Sequence, residues 1–266
     1  MRESSHAPAH HATAATASVA AFVMRIAVIS DIHANLHALE TVLADVDGES
    51  VDEIWCLGDV VGYGPRPNEC CELIRERTTI SLCGNHDLAA LGRLDVAEFS
   101  GDAATAAKWT SGVLADDPRA WLTSLSPLAR RDGAELFHAS PRDPVWEYVL
   151  SEEIALLSLE ATTEPLVLVG HTHVALALAL DGDRVDGGLA PGGVTIALEE
   201  GRRYLVNPGS VGQPRDGDPR AAWLLVDTGE GSASFRRVPY PIDETQKEMR
   251  DASLPETLAG RLAHGL

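Results

Sequence analysis

The sequence predicts an α/β protein built on a parallel sheet. Two observations predict it. Three strand–elbow–helix units follow one another near the start of the chain, and polar residues with metal-ligand chemistry stand where the strands stop.

The first unit begins at residues 25–30, Arg-Ile-Ala-Val-Ile-Ser, which are apolar on both faces and partly β-branched. That is the pattern of a buried parallel strand. Asp31-Ile32-His33 follows at once. Asn35 is then placed to cap a helix, and Leu36, Leu39, Leu43 and Val46 recur at helical spacing as far as Asp47-Gly48. Residues 51–57 form the second strand, ended by Gly58-Asp59. A Gly/Pro-rich loop over 60–67 leads to a helix at 68–77. Residues 78–83 are the third strand, ended by Gly84-Asn85-His86-Asp87. Three such units in series imply right-handed crossovers.

Residues 88–131 read as two or three helices, broken at Asp116-Asp117-Pro118 and Ser126-Pro127, capping or flanking the sheet. A strand at 134–137 ends in His138, and Ser151 opens a helix over 151–161. A strand at 166–169 ends in Gly170-His171-Thr172-His173. Beyond it, strand-like stretches at 174–180, 194–198, 203–206, 221–226 and 232–238 are separated by turns and no long helix. They suggest hairpins and a second, largely antiparallel sheet. Residues 186–193 are glycine-rich and read as a mobile loop. The expected organisation is a disordered leader over 1–23, one domain over 24–240 and a polar, partly helical C-terminal appendage over 241–266.

The leader is rich in Ala, Ser, Thr and His; a signal peptide cut near Ser18-Val19-Ala20 is the alternative, and Met24 is a candidate functional start. A formal charge of −19 argues against a nucleic-acid polymer as partner, because phosphate backbones need basic footprints. It is compatible with a small phosphorylated substrate, since bound cations reverse the local sign. No uninterrupted apolar stretch is long enough for a membrane span. The four cysteines, Cys56, Cys70, Cys71 and Cys83, form no CxxC pair and read as reduced thiols of a cytoplasmic protein. A homo-oligomer is compatible with all of this.

The residues after the strands are Asp31, His33, Asp59, Asn85, His86, His138, His171 and His173. Ligands of open α/β sheets bind beyond the carboxyl ends of the strands, so these side chains should meet in one crevice. Imidazoles mixed with carboxylates suit Mn, Fe, Zn, Ni or Co better than Ca or Mg. In Asp31-x-His33 and His171-x-His173, alternate residues of an extended chain would point the same way, each pair addressing one site. Asp59 stands alone after a glycine and could bridge two ions.

Asp31-Ile32-His33, Gly58-Asp59, Gly84-Asn85-His86-Asp87, His138 and Gly170-His171-Thr172-His173 together resemble the motif set of the calcineurin-like metallophosphoesterases. Residues 31–40, 137–143 and 207–215 resemble the small bacterial, YfcE-like branch. The resemblance spans residues 25–238. It implies a four-layer α/β/β/α sandwich with a mixed central pair of sheets and a centre of two divalent or trivalent transition-metal ions. Asp31, His33 and His173 would hold one ion, and Asn85, His138 and His171 the other. Asp59 would bridge them, and His86 would contact phosphate and act as general acid. The implied activity is hydrolysis of phosphodiesters or small phosphate esters by a hydroxide bridging the metals.

Arg142 and Arg215, each in a Pro-Arg-Asp loop, are candidates for binding substrate phosphate; otherwise each would pair with Asp143 or Asp216 to brace its loop. Asn35 and Tyr63 are further candidates for lining the pocket, against capping and loop packing. Trp146 and Tyr148 read as core or dimer contacts, and Asp87 as a loop-orienting residue. Gly62 and Tyr63 stand where the serine/threonine phosphatase branch has Asp and Arg, so the residue that would orient His86 there is missing. Protein phosphatase, dinucleoside polyphosphate hydrolase and, from another class, a non-catalytic metal-binding scaffold are the alternatives.

Overall fold

The computed structural model describes residues 23–131 and 133–266, so the leader lies almost wholly outside the described residues. Two six-stranded mixed sheets stack face to face, with helices on both outer sides. One sheet holds β1 (Arg25–Ile29), β2 (Glu53–Cys56), β3 (Ile80–Ser81), β9 (Thr195–Ala197), β11 (Ala221–Asp227) and β12 (Ser232–Val238), in the order β3-β2-β1-β11-β12-β9. The other holds β4 (Leu128–Arg131), β5 (Ala134–Phe137), β6 (Leu166–Val169), β7 (Leu176–Asp181), β8 (Arg184–Leu189) and β10 (Tyr204–Asn207), in the order β4-β5-β6-β10-β7-β8.

Alternation along β1 sets the layers. Ile26 and Val28 face the second sheet and pack with Leu136, Leu168, Val206 and Leu224. Ala27 and Ile29 face outward to α1 (Leu36–Asp47) and α2 (Pro67–Arg77), meeting Leu39, Val42, Leu43 and Ile74. On the far side, Phe137, Val167, Val169 and Leu205 pack under Ala155 and Leu159 of α6 (Glu152–Glu160). Each fully buried Leu or Ile in these three cores contributes roughly 1.5–3 kcal/mol.

The strands after His173 do not form a sheet of their own. β11 pairs antiparallel with β1, matching Ala27 to Leu225, and β12 and β9 continue that sheet. β10 pairs parallel with β6, and β7 and β8 continue the other. Local alternation identifies a strand but says nothing of its partner. Residues 88–131 are also not wholly helical. After α3 (Asn85–Ala90), α4 (Gly101–Val113) and α5 (Asp116–Thr123), the chain turns at Ser126-Pro127 into β4, an exposed edge strand stabilised by pairing with β5. Within 186–193, residues 186–189 belong to β8.

The C-terminal segment folds as α7 (Ile242–Asp251) and α8 (Glu256–Leu262). Met249, Leu254, Leu258 and Leu262 pack on Ala103 and Ala106 of α4 and on Tyr63. Thr245 donates to Asn35 Oδ1 at 3.1 Å, tying α7 to the start of α1. Leu258 is 1% exposed in this cluster. Leu258→Ala should therefore cost about 2–5 kcal/mol of stability. An unchanged urea midpoint would show that the helices do not unfold with the sheets.

Candidate metal centre

Both sheets end at one crevice, and their loops bring the strand-end residues together. Asp31, His33, Asp59 and His173 form one group whose donor atoms lie within 4.8 Å of one another; Asp59, His138 and His171 form a second. Asp59 belongs to both. Its Oδ2 lies 3.6 Å from His33 Nε2 and 3.5 Å from His138 Nε2, while its Oδ1 accepts the His86 backbone N–H at 2.8 Å. Asn85 joins the second group, its Oδ1 standing 3.2 Å from His138 Nε2. All of these side chains are buried.

The backbone that presents them is not extended. Asp31, His33, Asp59, His171 and His173 have φ between 50° and 65°, the left-handed region. The extended backbone that alternation assumes is therefore absent from both pairs, yet Asp31 and His33 still address one group. His171 and His173 part company, one to each group, because the elbow turns between them. The elbows are pinned by Asp31 N–H to Gly58 O at 3.0 Å, His33 N–H to Asp59 O at 2.9 Å and His171 N–H to Asp31 Oδ2 at 3.1 Å. Gly84 is needed for close approach: a Cβ there would lie 2.1 Å from Asp59 Oδ1 and 2.5 Å from His138 Cε1.

Second partners set the histidine tautomers. His138 Nδ1 donates to Leu57 O at 3.0 Å and His173 Nδ1 to Gln213 O at 2.6 Å, leaving each Nε2 as the free donor for a metal. His171 Nε2 donates to Trp146 O at 3.3 Å, leaving Nδ1. Burial lowers the pKa of His33, His86, His138 and His173, and brings His171 to about 3, so the rings are neutral. Burial, then repulsion from Asp87 and Asp31, raises Asp59 well above the usual carboxylate range. For Asp31 burial acts the same way but is outweighed by His173, His138 and Ser30, and its pKa falls.

These residues fit a metal. His33 Nε2 and His173 Nε2 face each other at 3.0 Å, with the His173 nitrogen left bare by its Nδ1–H···O contact to Gln213. Asp31 Oδ1 and Asp59 Oδ2 are buried without a hydrogen-bond partner. Buried acceptors crowded in this way are costly unless a cation lies among them.

His86 packs between rings. Tyr63 lies 4.3 Å, His33 4.9 Å and Phe99 5.0 Å from it, centre to centre, and its Nδ1 has no hydrogen-bond partner. A Cβ on Gly62 would come within 2.7 Å of that nitrogen. Packing, not a carboxylate, orients this ring. Asp87 instead accepts the N–H groups of Val60, Val61 and Gly84, bracing the Asp59 loop, and burial raises its pKa to about 6.

The remaining candidates divide. Asn35 is committed elsewhere, accepting from Ala38 N–H at 3.2 Å and from Thr245, and donating to Gly212 O at 2.9 Å. It caps α1 and ties that helix to Gly212 and α7. Arg142 faces Glu147 at 3.6 Å, and Asp143 caps the N–H groups of Val145 and Trp146, so that loop is not braced as an Arg142–Asp143 pair. Asp216 pairs with Arg237, while Arg215 donates to Tyr63 and Gln213.

Sequence reasoning took Tyr148 as a core or dimer contact, whereas its ring stacks on His171 at 4.0 Å, and gave the segment 207–213 a resemblance but no role at the site. Asn207 donates to Gly170 O at 2.7 Å and Thr172 Oγ1 at 2.9 Å. Ser210 Oγ and Gly212 N–H both reach Asp31 O, at 2.8 and 3.0 Å. Asn207 is itself a polar residue ending an apolar strand, so the rule applied to the other strand ends would have found it.

A calcineurin-like phosphoesterase superfamily domain matches residues 24–231, the stretch that holds every residue of both groups. The chain belongs to that superfamily. An uncharacterised protein of Methanocaldococcus jannaschii is 38% identical over 245 residues, covering 90% of this chain and 98% of that one. A crystal structure of a metallophosphoesterase from Sphaerobacter thermophilus is 46% identical with a TM-score of 0.83, over 91% of this chain and 99% of that one. A hypothetical protein from Pyrococcus horikoshii shares the fold at 21% identity and a TM-score of 0.73, over 91% and 98% of the two chains. Among the described residues of this superfamily member, no helix is long and apolar enough to cross a membrane.

If Asn35 is a cap, Asn35→Ala should lower stability by about 1–2 kcal/mol. KM for any ester the protein hydrolyses should stay unchanged; a raised KM with unchanged stability would return Asn35 to the substrate site.

Proposed function

We propose that this chain is a dinuclear metal-dependent hydrolase of phosphodiesters or small phosphate esters. Asp31, His33 and His173 hold one ion, Asn85, His138 and His171 the other, and Asp59 is shared. The observation that supports this most is Asp59 Oδ2, buried without a hydrogen-bond partner and nearly equidistant from His33 and His138. The bound ions would supply positive charge that polarises phosphoryl oxygens and makes water a nucleophile at neutral pH.

The chain's own residues do the rest. The Leu57, Gln213 and Trp146 carbonyls fix three imidazoles in the metal-ready tautomer. Asp59 Oδ1 holds the first turn of α3 through the His86 N–H. The His86 ring lies 4.9 Å, centre to centre, from His33, a proposed ligand, and from there would give a proton to the leaving oxygen. An anionic phosphoryl group beside it opposes the depression that burial imposes on its pKa. The four free, buried cysteines support a reducing compartment, the cytoplasm.

The reading is tested by metal analysis of protein purified without chelator, with turnover of monoesters, diesters, cyclic nucleotides and dinucleoside polyphosphates. Bound metal with no turnover on any of them would favour a scaffold. Asp59→Asn should lose both ions and nearly all turnover; retention of both would sink the shared-ligand assignment. His86→Ala should keep the ions and lose about 10²–10⁴-fold in rate, most with poor leaving groups. Equal losses across leaving groups would remove His86 as the acid.

A further inference from the structure

Arg215 lies in the turn after β10, outside both groups of candidate ligands. Its Nη2 donates to the Tyr63 hydroxyl at 3.1 Å and to Gln213 Oε1 at 3.2 Å. Its guanidinium carbon stands 5.8 Å from the centre of the Tyr63 ring. Tyr63 comes from the β2–α2 loop of one sheet, and Tyr148 from the β5–α6 loop of the other. Both phenols interact with Arg215, which opposes the rise in pKa that burial gives each of them. Both rings also lie against the site: Tyr63 is 4.5 Å from His33, and Tyr148 is 4.0 Å from His171. The guanidinium is thus held by the Tyr63 hydroxyl, while Tyr148 stands on the other side of the crevice against His171. Its charge also reaches His33, His86 and His173, adding to the burial that depresses them.

Two donors here lack acceptors. Arg215 Nε and Gln213 Nε2 are both buried without a hydrogen-bond partner. The Gln213 amide cannot be reversed, because its oxygen accepts from a guanidinium, which only donates. Buried donors left unpaired are expensive. Two of them within three residues, beside a cation, suit a guest that offers several acceptor oxygens. Asp216 does not neutralise that cation, being paired with Arg237.

We propose that Arg215 and Gln213 form an anion clamp for the non-bridging oxygens of the phosphoryl group, with Tyr63 as the positioning residue that holds the guanidinium. The clamp deepens the phosphoester reading and rests on it for its ligand. Arg215 then supplies a planar donor set for oxyanions, a task lysine does not reproduce.

Inorganic phosphate is the probe, titrated calorimetrically into the metal-loaded full chain, with metal content measured on every variant. Arg215→Ala should weaken phosphate binding by roughly tenfold or more and leave metal content unchanged. Arg215→Lys should recover only part of the loss. Tyr63→Phe, which keeps the ring and removes only the hydroxyl that Arg215 touches, should weaken binding by about two- to tenfold. Equal phosphate affinity in wild type and Arg215→Ala would overturn the clamp. So would loss of metal from Arg215→Ala, since the arginine would then be propping up the ligands. A wild type that binds no phosphate would overturn it too. A wild type that binds phosphate through Arg215 but hydrolyses no ester would leave the clamp standing and sink the hydrolase reading.

Discussion

Most of the candidate metal ligands sit on backbone that most residues avoid. A non-glycine residue in the left-handed region costs about 1–2 kcal/mol, and Asp31, His33, Asp59, His171 and His173 all adopt it. Strain of that size persists only where surrounding contacts fix the conformation. Besides the elbow-to-elbow hydrogen bonds, contacts come from the segment 207–213, which begins at the end of β10. Asn207 holds the Gly170–Thr172 elbow, Val211 N–H reaches Ser30 O at 2.9 Å, and Ser210 and Gly212 hold Asp31 O. Gly212 runs so close to the first elbow that a Cβ would lie 1.8 Å from Ile32 O. One loop therefore braces elbows from both sheets.

The electrostatics follow from the same enclosure. Burial disfavours charge on His33, His86, His138, His171 and His173 and on Asp59, yet the carbonyls of Leu57, Gln213 and Trp146 direct bare nitrogens inward. The protein thus keeps its donors neutral and crowded, a state that a cation relieves and a proton relieves less well. The shared Asp59 makes the two groups one unit, since moving its carboxylate toward either group alters what the other is offered.

Much of this was legible in the sequence because it is local. The three βα units, the Asn35 and Ser151 caps and the polar strand ends depend on residues close together in the chain. What was not legible depends on distant partners. β4 is polar and exposed and is a strand only because β5 lies beside it. Which sheet each late strand joins is decided by β1 and β6, far earlier in the chain. The elbows look extended from spacing alone, because nothing in Asp31-Ile32-His33 signals the Ser210 and Gly212 contacts that hold it bent. Tyr148 reads as a packing residue until its ring is seen against His171.

The placement of β11 bears on the order of assembly during synthesis. Every candidate ligand has left the ribosome once His173 has, but β1 still lacks its neighbour, which pairs Asp227 with Arg25. Residues 207–213 are missing as well, so the Asp31 elbow keeps its contacts to Gly58 and Asp59 but lacks those to Ser210 and Gly212, and the Gly170–Thr172 elbow lacks Asn207. Closing so long a loop is entropically costly and slow. A nascent chain paused before that point carries all the imidazoles and carboxylates on an incomplete frame, and the fully braced set of donors belongs to the finished chain.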